Sequence, residues 1–435
     1  MTEISILLTC LHGILDQTTI KQLMLLSECQ LTMAGRITML GMSRWTEKGG
    51  SYRTIQRFFQ KNIIWSLLHW ELVKPKIKES SGVILIAGDA TTVTKSGKHT
   101  YGLGRFFSSI YSRAVPGIAF QCLSLIDVAT QTSYPLVMEQ IISENKGKAK
   151  RAKKKSSSKR GRGRPKGSKN KNHREVELNA EMTQVQFMLC RLLELIAGTI
   201  SPVYFVYDGA FGNNAAVQMV NKVKLQLISK LRCNSRLYFE LTEEYSGKGR
   251  PKTYGDRVDY NNIPCKHRIS EVTEDGIYTH IYQFKARNHT FADSLNVVVI
   301  MKDNIKTGKQ ARVILFSTDL KLAGQDIIEY YHLRFQIEFN FRDAKQHWGL
   351  EDFMVIKEQA VSNSANLSMW MVNLSQVLLS ASPENSILDL KARYHGLRYV
   401  REVFKILPKK ADSIKINQLI SQIPILGKIH EPKVA

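Results

Sequence analysis

The chain has 435 residues, enough for two or three domains with a sizeable core, and carries 62 Lys and Arg against 38 Asp and Glu, a formal charge of +24. A field of that sign and size attracts polyanions, nucleic acid first among them. Six cysteines without CxxC pairing exclude a disulfide frame, and the lone pair Cys265 and His267 cannot close a zinc site. The N-terminal stretch MTEISILLTCLHG has an acid and no early Lys or Arg, against a signal peptide, and no apolar run approaches a membrane span.

In chain order, residues 1–80 read as mainly helical, with apolar periodicity in ISILLTCLHGIL and NIIWSLLHWELV. Between these, Arg36, Arg44, Lys48, Arg53 and Arg57 interleave with Trp45, Tyr52 and Phe58. That mixture suits a helical region binding DNA ends, or else a helical cap whose basic face is solvated. Residues 81–239 follow as an α/β core. Val83–Ala87 is a short β-branched run closing on Gly88 and Asp89, so Asp89 is expected just past a buried strand, where ligands bind in open α/β sheets. GIAFQCLSLIDV and SYPLVMEQII give two more strands, with Asp127 a turn residue between them and not a metal ligand.

A basic segment at 145–174 interrupts this core. Residues 146–174 hold 15 Lys or Arg and no acid, without apolar periodicity, and are expected to be disordered without DNA. Inside it Arg162, Gly163, Arg164 and Pro165 resemble an AT-hook: Gly and Pro keep the strip thin, so both arginines can enter an A·T-rich minor groove. A polycationic loop bound only to phosphates is the plainer alternative. A helix over roughly 175–198 ends at Gly198 and Pro202, and a strand over 203–207 ends in Asp208 and Gly209. A helix from Asn213 and a fifth strand, QLISKLR, come next. Three antiparallel strands, a helix and a further strand are the order of a ribonuclease-H-like fold, with a mixed five-stranded sheet.

Residues 240–320 read as a mainly β insertion, with strand-like YTHIYQFKARN, LNVVVIMKD and ARVILFSTDL. In its turn GKGRPKTYGDR, Lys248, Arg250 and Lys252 suit phosphate contact, though a solvated charged turn explains them equally well. Residues 321–355 form a core helix, and 356–435 a helical C-terminal region in which NLSMWMVNLSQVLL serves core packing or a subunit contact.

Tyr331, Arg334, Glu338 and Lys345 stand three, four and seven residues apart. On one helix these spacings gather all four on a stripe roughly 60° wide. A carboxylate flanked by a guanidinium, an ammonium and a phenol suits metal-assisted chemistry on phosphates. Singly, each acid has a duller reading: Asp89 and Asp208 could cap turns, and Glu338 could only pair with Arg334. Phe335 reads mainly as a core aromatic, with stacking on an extruded base as the alternative.

Together, Asp89, Asp208 and Glu338 resemble the DDE triad of cut-and-paste transposases from bacterial insertion sequences. The stripe is similar, in order and spacing, to the Y-(2)-R-(3)-E-(6)-K signature of one large group of them, and the resemblance covers about residues 80–355. It implies a third carboxylate on a late helix packed on the core sheet, and an inserted β segment that helps hold the cleaved end. It implies two Mg²⁺ ions, with Mn²⁺ able to substitute, held by Asp89, Asp208 and Glu338 roughly 4 Å apart. It implies Tyr331, Arg334 and Lys345 on phosphates beside the cut, and a hairpin route through an attacking 3′-OH. Double-stranded DNA as partner, a homodimer on DNA, no membrane, and a bacterial cytoplasmic, nucleoid-associated location follow from the same resemblance. A ribonuclease-H-like nuclease that cuts without joining, and a catalytically inactive transposase-derived regulator, remain the alternatives.

Overall fold

In the computed structural model, side-chain caps open the N-terminal helices wherever the sequence supplies Asp, Thr or Ser. The structure describes residues 3–46, 49–108, 112–142, 173–241, 252–406 and 416–417. Helices α1 (Glu3–Leu7), α2 (Gln17–Thr32), α3 (Met39–Trp45), α4 (Tyr52–Phe58) and α5 (Trp65–Glu79) come first. Asp16 accepts from the Thr19 amide at 2.9 Å, Thr38 from Gly41 at 3.0 Å and Ser51 from Thr54 at 3.3 Å, satisfying donors that the first turn leaves open.

The chain divides into two units: residues 1–140, 187–203 and 332–435 form the first, and 141–186 with 204–331 the second. In the first, β1 (Ile84–Thr94), β2 (Gly104–Ser108), β3 (Arg113–Asp127) and β4 (Thr132–Ile141) follow α5. β3 pairs antiparallel with β1 in a register from Ile84 opposite Asp127 to Thr94 opposite Gly117, and also pairs with β2 and β4. Asp127 is the turn residue expected, accepting from the Ala129 amide at 3.0 Å and the Thr130 hydroxyl at 2.9 Å. The placement of Asp89 past the end of its strand is corrected: Thr91, Thr92, Val93 and Thr94 carry β1 onward, and Asp89 lies inside it, opposite Cys122. Glycine before the acid marked no strand end here; the β-branched run after it decided.

Helix α6 (Ala180–Ile196) starts later than the expected 175, where the Asn179 side chain accepts from the Met182 amide at 2.7 Å. In the second unit, β5 (Tyr204–Val206), α7 (Asn214–Lys222) and β6 (Gln226–Leu231) form a crossover with the two strands parallel. Strands β7 (Tyr238–Phe239), β8 (Arg268–Glu274), β9 (Ile277–Arg287), β10 (Leu295–Asn304) and β11 (Gln310–Ser317) complete it, in the order β5-β6-β11-β10-β9, with β7 and β8 both on β9. Of these, β8 to β11 fall between residues 240 and 320.

Helices α8 (Gly324–Leu333), α9 (Gln336–His347), α10 (Glu358–Ser380) and α11 (Ile387–Ile406) end the fold. α10 is a core element of the first unit, with Trp370, Met371 and Leu374 fully buried. Two of its asparagines bond to segments distant in sequence. Asn363 accepts from Trp65 Nε1 at 2.8 Å and donates to the carbonyls of Phe59 and Lys61, while Asn373 donates to the Pro135 carbonyl at 2.7 Å. Burial on every side with such pairing is the pattern of core packing.

Candidate active site

The expected stripe does not ride on one helix. α8 stops at Leu333 and α9 starts at Gln336, so Tyr331 belongs to α8, Arg334 and Phe335 sit in the intervening turn, and Glu338 and Lys345 lie on α9. Bonds from Ile337 N to Arg334 O and from Glu338 N to Phe335 O tighten the turn to an i to i+3 pattern. Phe335 is corrected too. It is 49% exposed, set edge-on to Phe339 at 5.2 Å, and is not a core aromatic.

Within the first unit, α9 packs on the strands because Ile337, Phe341 and Ala344 are buried and Asn340 donates to Ser133 Oγ at 2.8 Å. That face-down set turns Glu338 and Lys345 toward β1. Arg334 Nη1 donates to Asp89 Oδ2 at 3.0 Å and Arg334 Nη2 to Glu338 Oε1 at 3.0 Å. One guanidinium thus spans two carboxylates from positions 245 residues apart in one case and four in the other. The Asp89–Arg334 pair is mostly buried, at 21% and 13% side-chain exposure, whereas Glu338 is 40% exposed and screened by solvent. Asp89 Oδ1 also accepts from the Ala90 amide at 2.8 Å, and Gln121 donates to the Asp89 carbonyl at 3.0 Å. Lys345 Nζ donates to the Thr92 carbonyl at 2.9 Å and lies 3.5 Å from Glu351.

The segment after α9 is laced to the same strand and to the N-terminal helices. Lys95, just past β1, donates to the carbonyls of Phe353 at 2.7 Å and Glu351 at 3.2 Å, over the Phe353 ring at 3.6 Å. Burial pulls its pKa down to about 8, partly opposed by the nearby charges of Asp352 and Glu351. Asp352 accepts from the Ile37 amide at 2.9 Å and pairs with Arg36 at 3.2 Å. Lys95 escaped the sequence reading, since a lysine after a strand carries no distinguishing spacing.

In the second unit, Asp208 follows β5 and caps the single turn Gly209–Phe211, its Oδ1 accepting from the Ala210 amide at 2.9 Å. Ser229 Oγ donates to its carbonyl at 2.6 Å. Glu181, in the first turn of α6, has its carboxyl pushed up by burial and then by the charge of Asp208. The sequence did not mark it, since a helix expected from 175 places it beyond the first turn. Tyr331 is half-buried in this unit. Lys252 is exposed on the rim of a cleft of about 680 Å³ with Phe239, Tyr254 and Lys285. Arg162, Arg164, Lys248 and Arg250 lie outside the described residues, as does Lys48.

The structure therefore gathers Asp89, Arg334, Glu338 and Lys345 in one unit and places Asp208 and Tyr331 in the other. Among the described residues, no group of three or more His, Cys, Asp or Glu side chains is disposed to hold a metal ion, and no helix is long and apolar enough to cross a membrane. No curated protein matches the sequence. Among solved structures, the piggyBac transposase synaptic complex with hairpin DNA, determined by cryo-EM, is similar at 10% identity, covering 97% of this chain and 78% of that one with a TM-score of 0.40. A sequence profile of DDE superfamily endonucleases matches residues 10–281, which include Asp89 and Asp208 and stop short of Glu338. With well over half of its length matched, the chain belongs to the DDE superfamily endonucleases.

Proposed function

We propose that the protein is a cut-and-paste DNA transposase. On this reading it binds the terminal inverted repeats of its insertion sequence, cleaves at the element ends and joins the freed 3′-OH ends to target DNA. The observation that carries it is the shared cation space between Asp89 and Glu338, filled by the Arg334 guanidinium at 3.0 Å from each. Two hard oxygen donors already facing one cation are a donor set that suits Mg²⁺, with Mn²⁺ as substitute, and the family is divalent-metal dependent. Asp89, Asp208 and Glu338 would hold the ions. Bound there, they would lower the pKa of an attacking water or 3′-hydroxyl and stabilise the leaving oxygen.

The chain's own groups supply the rest. Arg334, exchanging carboxylates for a phosphate, grips it bidentately; Lys345 and Tyr331 hold the neighbouring backbone. The antiparallel β1, β3 and β4, followed by the parallel β5 and β6 around α7, support a ribonuclease-H-like core. The +24 charge supports DNA as partner. A homodimer on DNA and a bacterial cytoplasmic setting belong to the same reading, as do phosphate contacts from Arg162, Arg164, Arg250 and Lys252.

The test is strand cleavage of labelled DNA carrying the sequence that flanks the reading frame, with Mg²⁺, comparing wild type with Glu338→Gln. Wild-type cutting at the element boundary, lost by roughly three orders of magnitude or more in a variant that still binds, is the expected result. Binding without cutting by both proteins would point to a regulator. Cutting by both would remove Glu338 from the site.

A further inference from the structure

An open cleft of about 1070 Å³ in the first unit is left unused by the chemistry above. It lies between α3, α4 and the segment 354–357 that follows the Glu338 helix. Its walls carry Arg53, Arg57, Lys61 and Lys357 and no acid. Lys61 is committed to Thr19 and Asp16, but Arg53, Arg57 and Lys357 are exposed and paired with no carboxylate among the described residues. The same lining includes Leu40, Tyr52, Met354 and Ile356, all exposed large apolar groups, between 44% and 72% accessible.

A duplex presents phosphates outward and keeps its bases stacked, so it can use the cations of such a lining but leaves the apolar groups uncovered. An unpaired strand presents both, phosphates for the cations and base faces for aromatic and apolar side chains. Charge of one sign and exposed apolar side chains in one cleft therefore fit single-stranded DNA better than duplex. Resting on the transposase reading, we propose that this cleft binds an unpaired stretch of DNA, its bases against Tyr52 and Ile356 and its backbone on Arg53, Arg57 and Lys357. The lacing of Asp352 to Ile37 and of Lys95 to Phe353 fixes the 351–357 segment between this cleft and the Glu338 helix. A strand seated in the cleft is thereby positioned by the same segment that ends the helix.

The experiment is fluorescence anisotropy of the full chain with a labelled 20-nucleotide single strand and the matching duplex, across a salt series. Two double variants, all four positions exposed, are compared with wild type. Arg57→Gln with Lys357→Gln is expected to weaken both ligands and to lower the salt slope by roughly one per lost phosphate contact. Tyr52→Ser with Ile356→Ser is expected to weaken the single strand about fivefold or more and to leave duplex binding unchanged. Single-strand binding unaffected by the apolar pair overturns the proposal, as does an equal loss for both ligands. Unchanged DNA binding with altered self-association in sedimentation also overturns it, and assigns the cleft to a second copy. Wild type failing to bind either DNA would instead defeat the transposase reading itself.

Discussion

In the first unit Asp89 meets a distant guanidinium as well as its neighbour's amide, whereas in the second Asp208 accepts from a backbone amide of its own turn. Asp89 sits inside β1, with one carboxylate oxygen on the Ala90 amide and the other tied through Arg334 to Glu338, so half of its setting depends on a residue far along the chain. Asp208 is fixed within its own turn by Ala210. A carboxylate held partly by a distant charge loses that part of its anchor when the charge is removed or drawn elsewhere, whereas a capping carboxylate keeps its place. The two acids are thus built with different sensitivities.

Removing the guanidinium should strike hardest. Arg334→Ala removes the guanidinium shared by a mostly buried Asp89 and Glu338, and is expected to cost about 2–3 kcal/mol. Solvent screening of Glu338 keeps the figure below that of a fully buried triad. Thermal denaturation of Arg334→Ala, alone and combined with Asp89→Asn, checks it, since the second change should recover most of the loss. A variant that melts with the wild type would erase the distinction between the units.

The matched pair Asp89→Asn and Asp208→Asn sharpens the contrast. Asparagine caps a turn about as well as aspartate, so the second substitution should change stability by less than about 0.5 kcal/mol. The first gives up the charge facing Arg334 and should cost about 1–2 kcal/mol. Both should remove metal-dependent cleavage if both acids serve it. Equal melting temperatures would show that Asp89, like Asp208, is held locally.

These differences mark what the sequence could disclose. Asp208 was legible because its environment is local: an apolar run, the acid, a glycine and the Asn213 cap are all contiguous. The partners of Asp89 were legible only as a spacing on a helix, and that helix proves to be two, broken at Arg334 and Phe335. Its strand was cut short in the reading because Gly88 outweighed the β-branched residues beyond. The exposure of Phe335 could not be read from its neighbours, since the break in the helix decides which way it faces. Glu181 and Lys95 were invisible for the same reason, as each acquires its meaning from a neighbour remote in sequence.

A third contrast concerns two glycines, both with positive φ. Gly349, at +73°, ends α9 in a loop where Leu350 N reaches back to Ala344 O at 3.0 Å, and a Cβ there would meet Ile37 Cβ at 2.6 Å. Gly276, at +76° in the β8–β9 turn, would meet only the flexible Lys306 side chain at 3.5 Å. Gly349→Ala should therefore cost about 2–3 kcal/mol, from backbone strain and displacement of Ile37, against about 1 kcal/mol for Gly276→Ala. Urea unfolding of both variants gives the comparison, and a larger loss at Gly276 would contradict it.

At neutral pH the smallest effect belongs to two histidines. In the first unit, burial holds His69 far below its ordinary 6.5, at about 3, and Asn373 Nδ2 lies 3.0 Å from its Nδ1. In the second, His267 is lowered by burial and then by Lys266, but it lies near the surface, stacked on Phe239 at 5.1 Å. A base whose pKa falls on folding takes up more protons unfolded than folded. The stability His69 contributes is thus complete above about 6.5 and drains away as the pH falls toward 3. His69→Gln, which can still accept from Asn373, should match wild type at pH 7 and lose stability less steeply between pH 6.5 and 4. His267→Gln should leave that slope as it is. Denaturant unfolding at stepped pH measures both, and a slope unaltered by His69→Gln would mean that the buried ring is not what makes the first unit sensitive to acid.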